Sequence, residues 1–298
     1  MPRDKHEGRR RYAGARIRLE GGRARPVPAA EPGPGMVEGR FSVLSPGTER
    51  RHLSGPDREA GYMTLGRTED TGPWVLAPVP HGASFEPSCP GAVTAPPGTE
   101  PRLVALARFQ MMACLGLDRL STTDLGDVTV VGSGPVALGC VLELTRRGAS
   151  RIRVVTARRR PPISRAPGVI CVPPGQAGRG RLVIDAAGVP ASAAGLTAPG
   201  GVIGLLGTPD TTARLGTLEV HRAAWTLVGM HELAPASEGA YQEAFTRVAR
   251  WLTGHLDADL ADLWCRTVPG SRAPELFDSL ATPDRPAEPV VLLDWGAA

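Results

Sequence analysis

Val128-Thr-Val-Val-Gly132-Ser-Gly134-Pro-Val-Ala137 decides how the rest of the chain is read. An apolar strand runs straight into Gly-x-Gly-x-x-Ala. Gly132 allows a tight strand-to-helix turn, Gly134 leaves no side chain where another group must approach, and Ala137 is small enough for the next helix to lie on a sheet. The N–H groups at the start of that helix would face an anion. This combination points to the pyrophosphate of a dinucleotide, with Gly132, Ser133, Gly134, Pro135 and Val136 along it.

The flanks agree. A helical pattern continues through Val136, Cys140, Val141 and Leu144 to Arg147-Gly148, a basic last turn followed by a glycine stop. Arg151-Ile-Arg-Val-Val-Thr156 then reads as a second strand, ending 24 positions after Gly132. That is near the roughly 20-residue offset of the residue that reads the ribose. A carboxylate there would accept hydrogen bonds from a 2′-hydroxyl and repel a 2′-phosphate. Thr156, followed by Ala157-Arg158-Arg159-Arg160, offers a hydroxyl and cations instead, which favours NADP(H), with Thr156, Arg158 and Arg159 as contacts. Three arginines after a strand are also what an ordinary solvated loop carries.

Downstream, Val169–Val172, Leu182–Gly188 and Gly201–Gly207 read as further buried strands alternating with short helices. Trp225–Gly229 adds another, Tyr241 to Leu252 is an amphipathic helix, and Val290–Trp295 is a closing strand. Alternation of this kind predicts an α/β fold with a doubly wound parallel sheet of Rossmann type, its ligand at the carboxyl ends of the strands. Ala187 and Gly207, at the carboxyl ends of two of those segments, complete the expected cofactor lining. Upstream, the spacing of Leu103, Ala107, Met111, Cys114 and Leu117 predicts a helix.

At 298 residues the chain is long enough for two domains. Of the 30 prolines and 37 glycines, 14 and 13 fall between residues 21 and 101, which predicts a region rich in loops and turns there. Its opening residues read as a flexible start followed by short strands such as Ala15–Leu19. The net charge of +4 comes with no continuous basic stripe, which argues against nucleic acid. No apolar leader or run of about 18 apolar residues is seen, so a cytoplasmic protein is expected. Five scattered cysteines suggest neither a disulfide framework nor a Cys-x-x-Cys metal site.

Several segments, in order and spacing, resemble the medium-chain dehydrogenase/reductase superfamily: Gly132–Ala137, Val183-Ile-Asp-Ala-Ala-Gly188, Pro199–Gly204, Val220-His-Arg222 with Leu227-Val-Gly229, and Val291–Trp295. Val43-Leu-Ser-Pro-Gly-Thr-Glu49, Gly61-Tyr-Met-Thr-Leu-Gly-Arg67 and Trp74–His81 look like its bacteriochlorophyllide dehydrogenase-like branch. The resemblance implies a mostly β, GroES-like catalytic domain at residues 1–108, a Rossmann domain at 109–240, and a return to the catalytic domain at 241–298. It also implies a departure. Zinc enzymes of the superfamily offer a cysteine in the first motif and Gly-His-Glu in the second, whereas this chain has Ser45 and Gly61-Tyr62-Met63, poor zinc ligands. The loop with four structural cysteines is missing, and six residues separate Arg67 from Trp74 where another strand or two is usual. No metal is expected.

Hydride transfer then needs side chains to stabilise charge on the acceptor and deliver a proton. Tyr62 and His81 fall in motifs that the resemblance places near the cofactor cleft, and Ser45, Thr48 and Glu49 are weaker candidates. Ordinary turn chemistry is the favoured reading of Ser45-Pro-Gly-Thr-Glu49, Tyr62 equally fits as a packed aromatic, and His81, after two prolines, also fits as a loop histidine. Asp185 and His221 read more readily as structural. The sequence thus predicts a zinc-independent NADPH oxidoreductase acting on an activated C=C, a carbonyl or an imine of a small molecule, or on an alcohol in reverse. Its rival is an inert NADP(H)-binding partner or sensor. An S-adenosylmethionine methyltransferase also uses a glycine-rich first turn, but Pro135, the arginines after Thr156 and the later segments disfavour it. A homodimer is expected through an edge strand such as that at Trp225.

Overall fold

The computed structural model describes residues 15–29, 31–68, 71–121, 124–234, 237 and 239–296. The expected flexible start before residue 15 lies outside them. The chain divides into two compact units, one of residues 1–105 with 261–298 and the other of residues 106–260. The helix Ala240–His255, placed by the sequence reading with the first domain, belongs to the second unit.

The first stretch of chain supplies β1 (Ala15–Glu20), β2 (Arg23–Pro28), β3 (Glu38–Leu44), β4 (Arg58–Glu59), β5 (Thr64–Arg67), β6 (Val75–Ala77) and β7 (Val93–Thr94). The second unit holds β8 (Val128–Val131), β9 (Ile152–Val155), β10 (Val169–Val172), β11 (Gly180–Asp185), β12 (Thr197–Leu205) and β13 (Thr226–Gly229). The chain then returns with β14 (Cys265–Pro269) and β15 (Val290–Asp294).

In the second unit the six strands pair in the order β10-β9-β8-β11-β12-β13, every neighbour parallel. In chain order this is 3-2-1-4-5-6, the doubly wound arrangement, whose order reverses between β8 and β11. Parallel strands covered on both faces read as apolar runs, and all four residues of β8 are buried. Val131, Val155, Val183, Ala193 and Ile203 form one cluster across this sheet. Burying each large side chain contributes about 1.5–3 kcal/mol. β10, expected to be buried, is an edge strand, and Ile170 on it is 49% exposed.

In the first unit β14-β15-β3-β5-β6-β7 form a mixed sheet, antiparallel except for β14 beside β15, and β2-β1-β4 form a smaller one. Ile17, Leu19, Leu44, Phe277, Val291, Leu293 and Trp295 share a core. A buried polar chain ties this unit together. Ser42 Oγ accepts from Trp295 Nε1 at 2.8 Å and from Gly82 N at 3.0 Å. With both lone pairs filled, its own proton goes to Thr64 Oγ1 at 3.1 Å, which donates to Pro80 O at 2.7 Å. β3, β5, β15 and the loop on either side of His81 are thereby locked together. Among the described residues no helix is long and apolar enough to cross a membrane.

Candidate functional site

The glycine turn stands at the reversal of strand order. Gly132 follows β8 with φ +111°, a conformation that L side chains rarely adopt, and a Cβ there would lie 3.0 Å from Ala187 Cβ. Its N–H donates to Val155 O at 2.9 Å, tying the turn to β9. Gly134 precedes the helix Pro135–Arg146, and a Cβ on it would meet nothing within 4 Å, so space is open where the fingerprint wants phosphate. Pro135 fills the first helical position, where its missing N–H is no loss. Val136 is half-buried and Ala137 fully buried. The helix is 12 residues long, so its dipole adds to the field of its first N–H groups.

The turn after β11 faces Gly132. Asp185 is buried, and its Oδ1 accepts the N–H groups of Ala187 at 3.0 Å and Gly188 at 2.9 Å. Burial pushes its carboxyl above the ordinary range, against the pull of those backbone donors. Gly207 N donates to Asp185 O at 2.7 Å, which brings the end of β12 to the same place. Asp185, read from the sequence as structural, organises the turn that carries Ala187.

Thr156 directly follows β9, and its N–H donates to Val172 O at 3.0 Å. Its hydroxyl lies 2.8 Å from Ser133 Oγ and accepts Arg158 N–H at 3.2 Å. Arg158 is half-buried and Arg159 exposed. Of the second unit's predicted cofactor residues, the structure therefore gathers Gly132, Ser133, Gly134, Pro135, Thr156, Arg158, Ala187 and Gly207 at the carboxyl ends of β8, β9, β11 and β12.

The first unit holds the other candidates. Ser45 caps a helix, Pro46–Leu53, in place of the turn that the sequence favoured: Pro46 at its first position presets φ, and Glu49 N donates to Ser45 O at 2.9 Å. Ser45 Oγ donates to Thr48 Oγ1 at 3.3 Å. His81 is fully buried, with Nε2 3.3 Å from Glu49 Oε1, and the backbone of Gly61, at φ +86°, lies against its ring. Glu49 is itself fully buried, and His52 Nδ1 lies 3.9 Å from its other oxygen. Burial and nearby Arg58 hold His52 below its usual pKa, with Glu49 opposing. Tyr62 is half-buried, and Met63 is buried.

Glu49 is the residue that sequence reasoning undervalued. Its signal was an acid in a first helical turn, three residues before a histidine. Among the described residues no group of three or more His, Cys, Asp or Glu is placed to hold a metal ion.

No family model matches the chain, and no curated protein matches it. Solved structures do. An alcohol dehydrogenase from Thermus sp. ATN1 superposes with a TM-score of 0.71 at 16% identity, covering 94% of this chain and 99% of its own. The 2R,3R-butanediol dehydrogenase of Bacillus subtilis gives 0.70 at 15%, covering 94% and 99%. YhdH of Escherichia coli K-12, with bound NADPH, gives 0.69 at 17%, also covering 94% and 99%. At such identities the likeness is one of fold, and it spans both units.

Proposed function

We propose that this chain is an NADP(H)-dependent oxidoreductase of the medium-chain dehydrogenase/reductase type that works without zinc. It transfers hydride to or from an activated C=C, a carbonyl or an imine of a small organic molecule, or runs an alcohol oxidation in reverse. The observation that carries this reading is the Gly132–Pro135 turn at the switch point of a 3-2-1-4-5-6 parallel sheet, where ligands of such sheets bind. The residues fit a dinucleotide: open space beside Gly134, a helix N-terminus behind it, and no acidic residue at the end of β9. Further support comes from the E. coli protein of the same fold that holds NADPH.

The coenzyme, when bound, supplies or accepts the hydride. This chain's residues then hold its pyrophosphate along Gly132–Val136, its 2′-phosphate at Thr156, Arg158 and Arg159, and its nicotinamide half along Ala187 and Gly207. Tyr62 is the proposed proton donor, since its hydroxyl can both donate and accept. His81, occupied with Glu49, and Ser45, occupied with Thr48, are proposed to support it. Ser45, Tyr62 and Met63 make a donor set unsuited to zinc, which is why an acceptor able to take hydride without a Lewis acid suits this site.

A second reading, a nucleotide-binding protein without turnover, is favoured by the burial of His81 and the engagement of Ser45 by its own helix. One experiment separates them. NADPH fluorescence is titrated against the protein, and NADPH consumption is then followed with enones, aldehydes and imines for the natural chain and Tyr62→Phe. The oxidoreductase reading expects binding, turnover of at least one class, and a rate loss of about 10²-fold or more in Tyr62→Phe. Binding with no turnover supports the second reading, and no binding of either reduced coenzyme ends both.

A further inference from the structure

The glycine turn and the end of β9 are joined by a bond that holding a pyrophosphate does not require: Ser133 Oγ and Thr156 Oγ1 lie 2.8 Å apart. The backbone on both sides is fixed, with Gly132 N on Val155 O and Thr156 N on Val172 O, so the two hydroxyls meet because β8 and β9 are neighbours in register. Ser133 is almost fully buried and Thr156 half-buried.

A count of protons decides what such a pair can offer. Two hydroxyls carry two protons, and one of these lies between them. If Thr156 donates to Ser133, the Ser133 proton is left over. If Ser133 donates, both lone pairs of Thr156 are filled, by Ser133 and by Arg158 N–H, and the Thr156 proton is left over. Either way one hydroxyl proton remains for a ligand and the pair bears no charge. A carboxylate at position 156 would do the reverse, since it only accepts. A remaining donor beside arginines suits a group that is all acceptor, and such a bond to an anionic oxygen is roughly twice as strong as one between neutral groups.

We propose that Ser133 and Thr156 act as one donor unit that selects the 2′-phosphate of NADPH over the 2′-hydroxyl of NADH, which makes Ser133, a residue of the glycine turn itself, a specificity determinant. This deepens the dinucleotide reading above and rests on it. The unit explains why the position between the two glycines carries a hydroxyl where a phosphate-binding turn requires only backbone. It also ties the two side chains together, because the bond between them fixes the direction of the remaining O–H, and removing either oxygen leaves a single hydroxyl that rotates freely and no longer aims its proton at the ligand.

The test is calorimetric titration of the full chain with NADPH and with NADH for the natural protein, Ser133→Ala, Thr156→Val, Thr156→Ser and the Ser133→Ala/Thr156→Val double variant, thermal melting confirming the fold of each. Ser133→Ala and Thr156→Val are each expected to weaken NADPH about tenfold and to leave NADH within about twofold. The double variant should lose no more than about threefold beyond either single one, and Thr156→Ser should stay within about threefold of the natural protein. The proposal is overturned if Ser133→Ala weakens both coenzymes alike or neither, or if the losses of the two single variants multiply in the double. Should Ser133→Ala not fold, the contrast between Thr156→Val and Thr156→Ser decides in the same way. A natural protein that binds neither coenzyme brings down the dinucleotide reading itself. One that prefers NADPH while Ser133→Ala keeps that preference brings down this inference alone.

Discussion

Glu49 carries its carboxyl group into the interior: it is fully buried, and among the described residues neither of its oxygens receives a well-aligned hydrogen bond. The imidazole of His81 at 3.3 Å, with His52 farther off, is what makes that position tolerable. Removing one partner of a buried pair leaves an uncompensated charge or polar group, at a cost of about 3–5 kcal/mol, whereas replacing both with apolar groups of similar size is often neutral. His81→Ala is therefore expected to destabilise the protein by about 3 kcal/mol, and the Glu49→Met/His81→Leu double variant to recover most of it. Urea unfolding of the cycle checks this. A loss below about 0.5 kcal/mol in His81→Ala, ordinary for a residue that touches nothing important, would show that the two groups do not support each other. The pair was not legible in the sequence. Ser45-Pro-Gly-Thr-Glu reads as a turn as readily as a helix start, because proline and glycine preset either, and Glu49 meets His81 only through β3, β5 and the loop between Val79 and Gly82. Gly132, Ser133, Gly134 and Thr156 could be read because their geometry is local: a strand, a turn and a helix fix it within a few residues.

The helix Pro135–Arg146 shows how far an element's own sequence carries. Its start at Pro135 and its stop before Gly148 were visible as turn and capping signals, and its apolar residues are buried as their spacing requires. The basic last turn, which the sequence offers as part of a stop signal, does something more. Arg146 and Arg147 fold back on Glu143, with contacts of 2.7 to 2.8 Å, and Gln110 reaches the same carboxylate at 3.2 Å. Burial alone would raise the Glu143 pKa, but the two arginines outweigh it and hold it below its ordinary 4.5. The sign follows. The unfolded chain binds this proton more readily than the native one, so the stabilisation is complete above about pH 4.5 and is lost as pH falls through the lower native value. Asp185, raised by burial, acts in the opposite sense just above its ordinary 3.8. Glu143→Gln is expected to cost about 3 kcal/mol at pH 7 and to flatten the acid limb of the stability curve below pH 4.5. Urea unfolding between pH 3 and 7 measures both, and parallel acid limbs for the two proteins would contradict the assignment. β14 escaped the sequence because Cys265–Pro269 is short, ends in proline and owes its existence to pairing with β15. β10 was placed but misjudged as buried, since a four-residue apolar run does not say whether it lies inside a sheet or at its edge.

At the scale of the whole molecule, strand order is what no local pattern states. Alternating strands and helices imply a parallel sheet, but that β8 lies between β9 and β11, and β13 at the far edge, follows from right-handed crossovers and from burying the most apolar strands in the middle. That edge carries a consequence. Among the described residues β13 pairs on one side only, and Leu227 on it and Leu218 on the helix Thr217–Ala223 are 41% and 56% exposed. Exposed apolar edge strands are sites of pairing with another chain. Met230 N–H points inward to Leu205 O, so by the alternation of a parallel strand Val228 and Thr226 face β12 while Leu227 and Gly229 present their backbone outward. We propose that a second copy of this chain pairs along that edge. Light scattering should then give twice the 31.2 kDa of one chain. Leu227→Pro is the informative variant, because it removes an outward N–H and leaves the inward ladder to β12 intact, as proline on an edge strand permits. It should yield a monomer with unchanged circular dichroism and unchanged NADPH affinity. A natural protein that runs as a monomer at concentrations of about 100 μM, weaker than a specific interface would allow, would rule the dimer out, and a dimer that persists in Leu227→Pro would move it to another face.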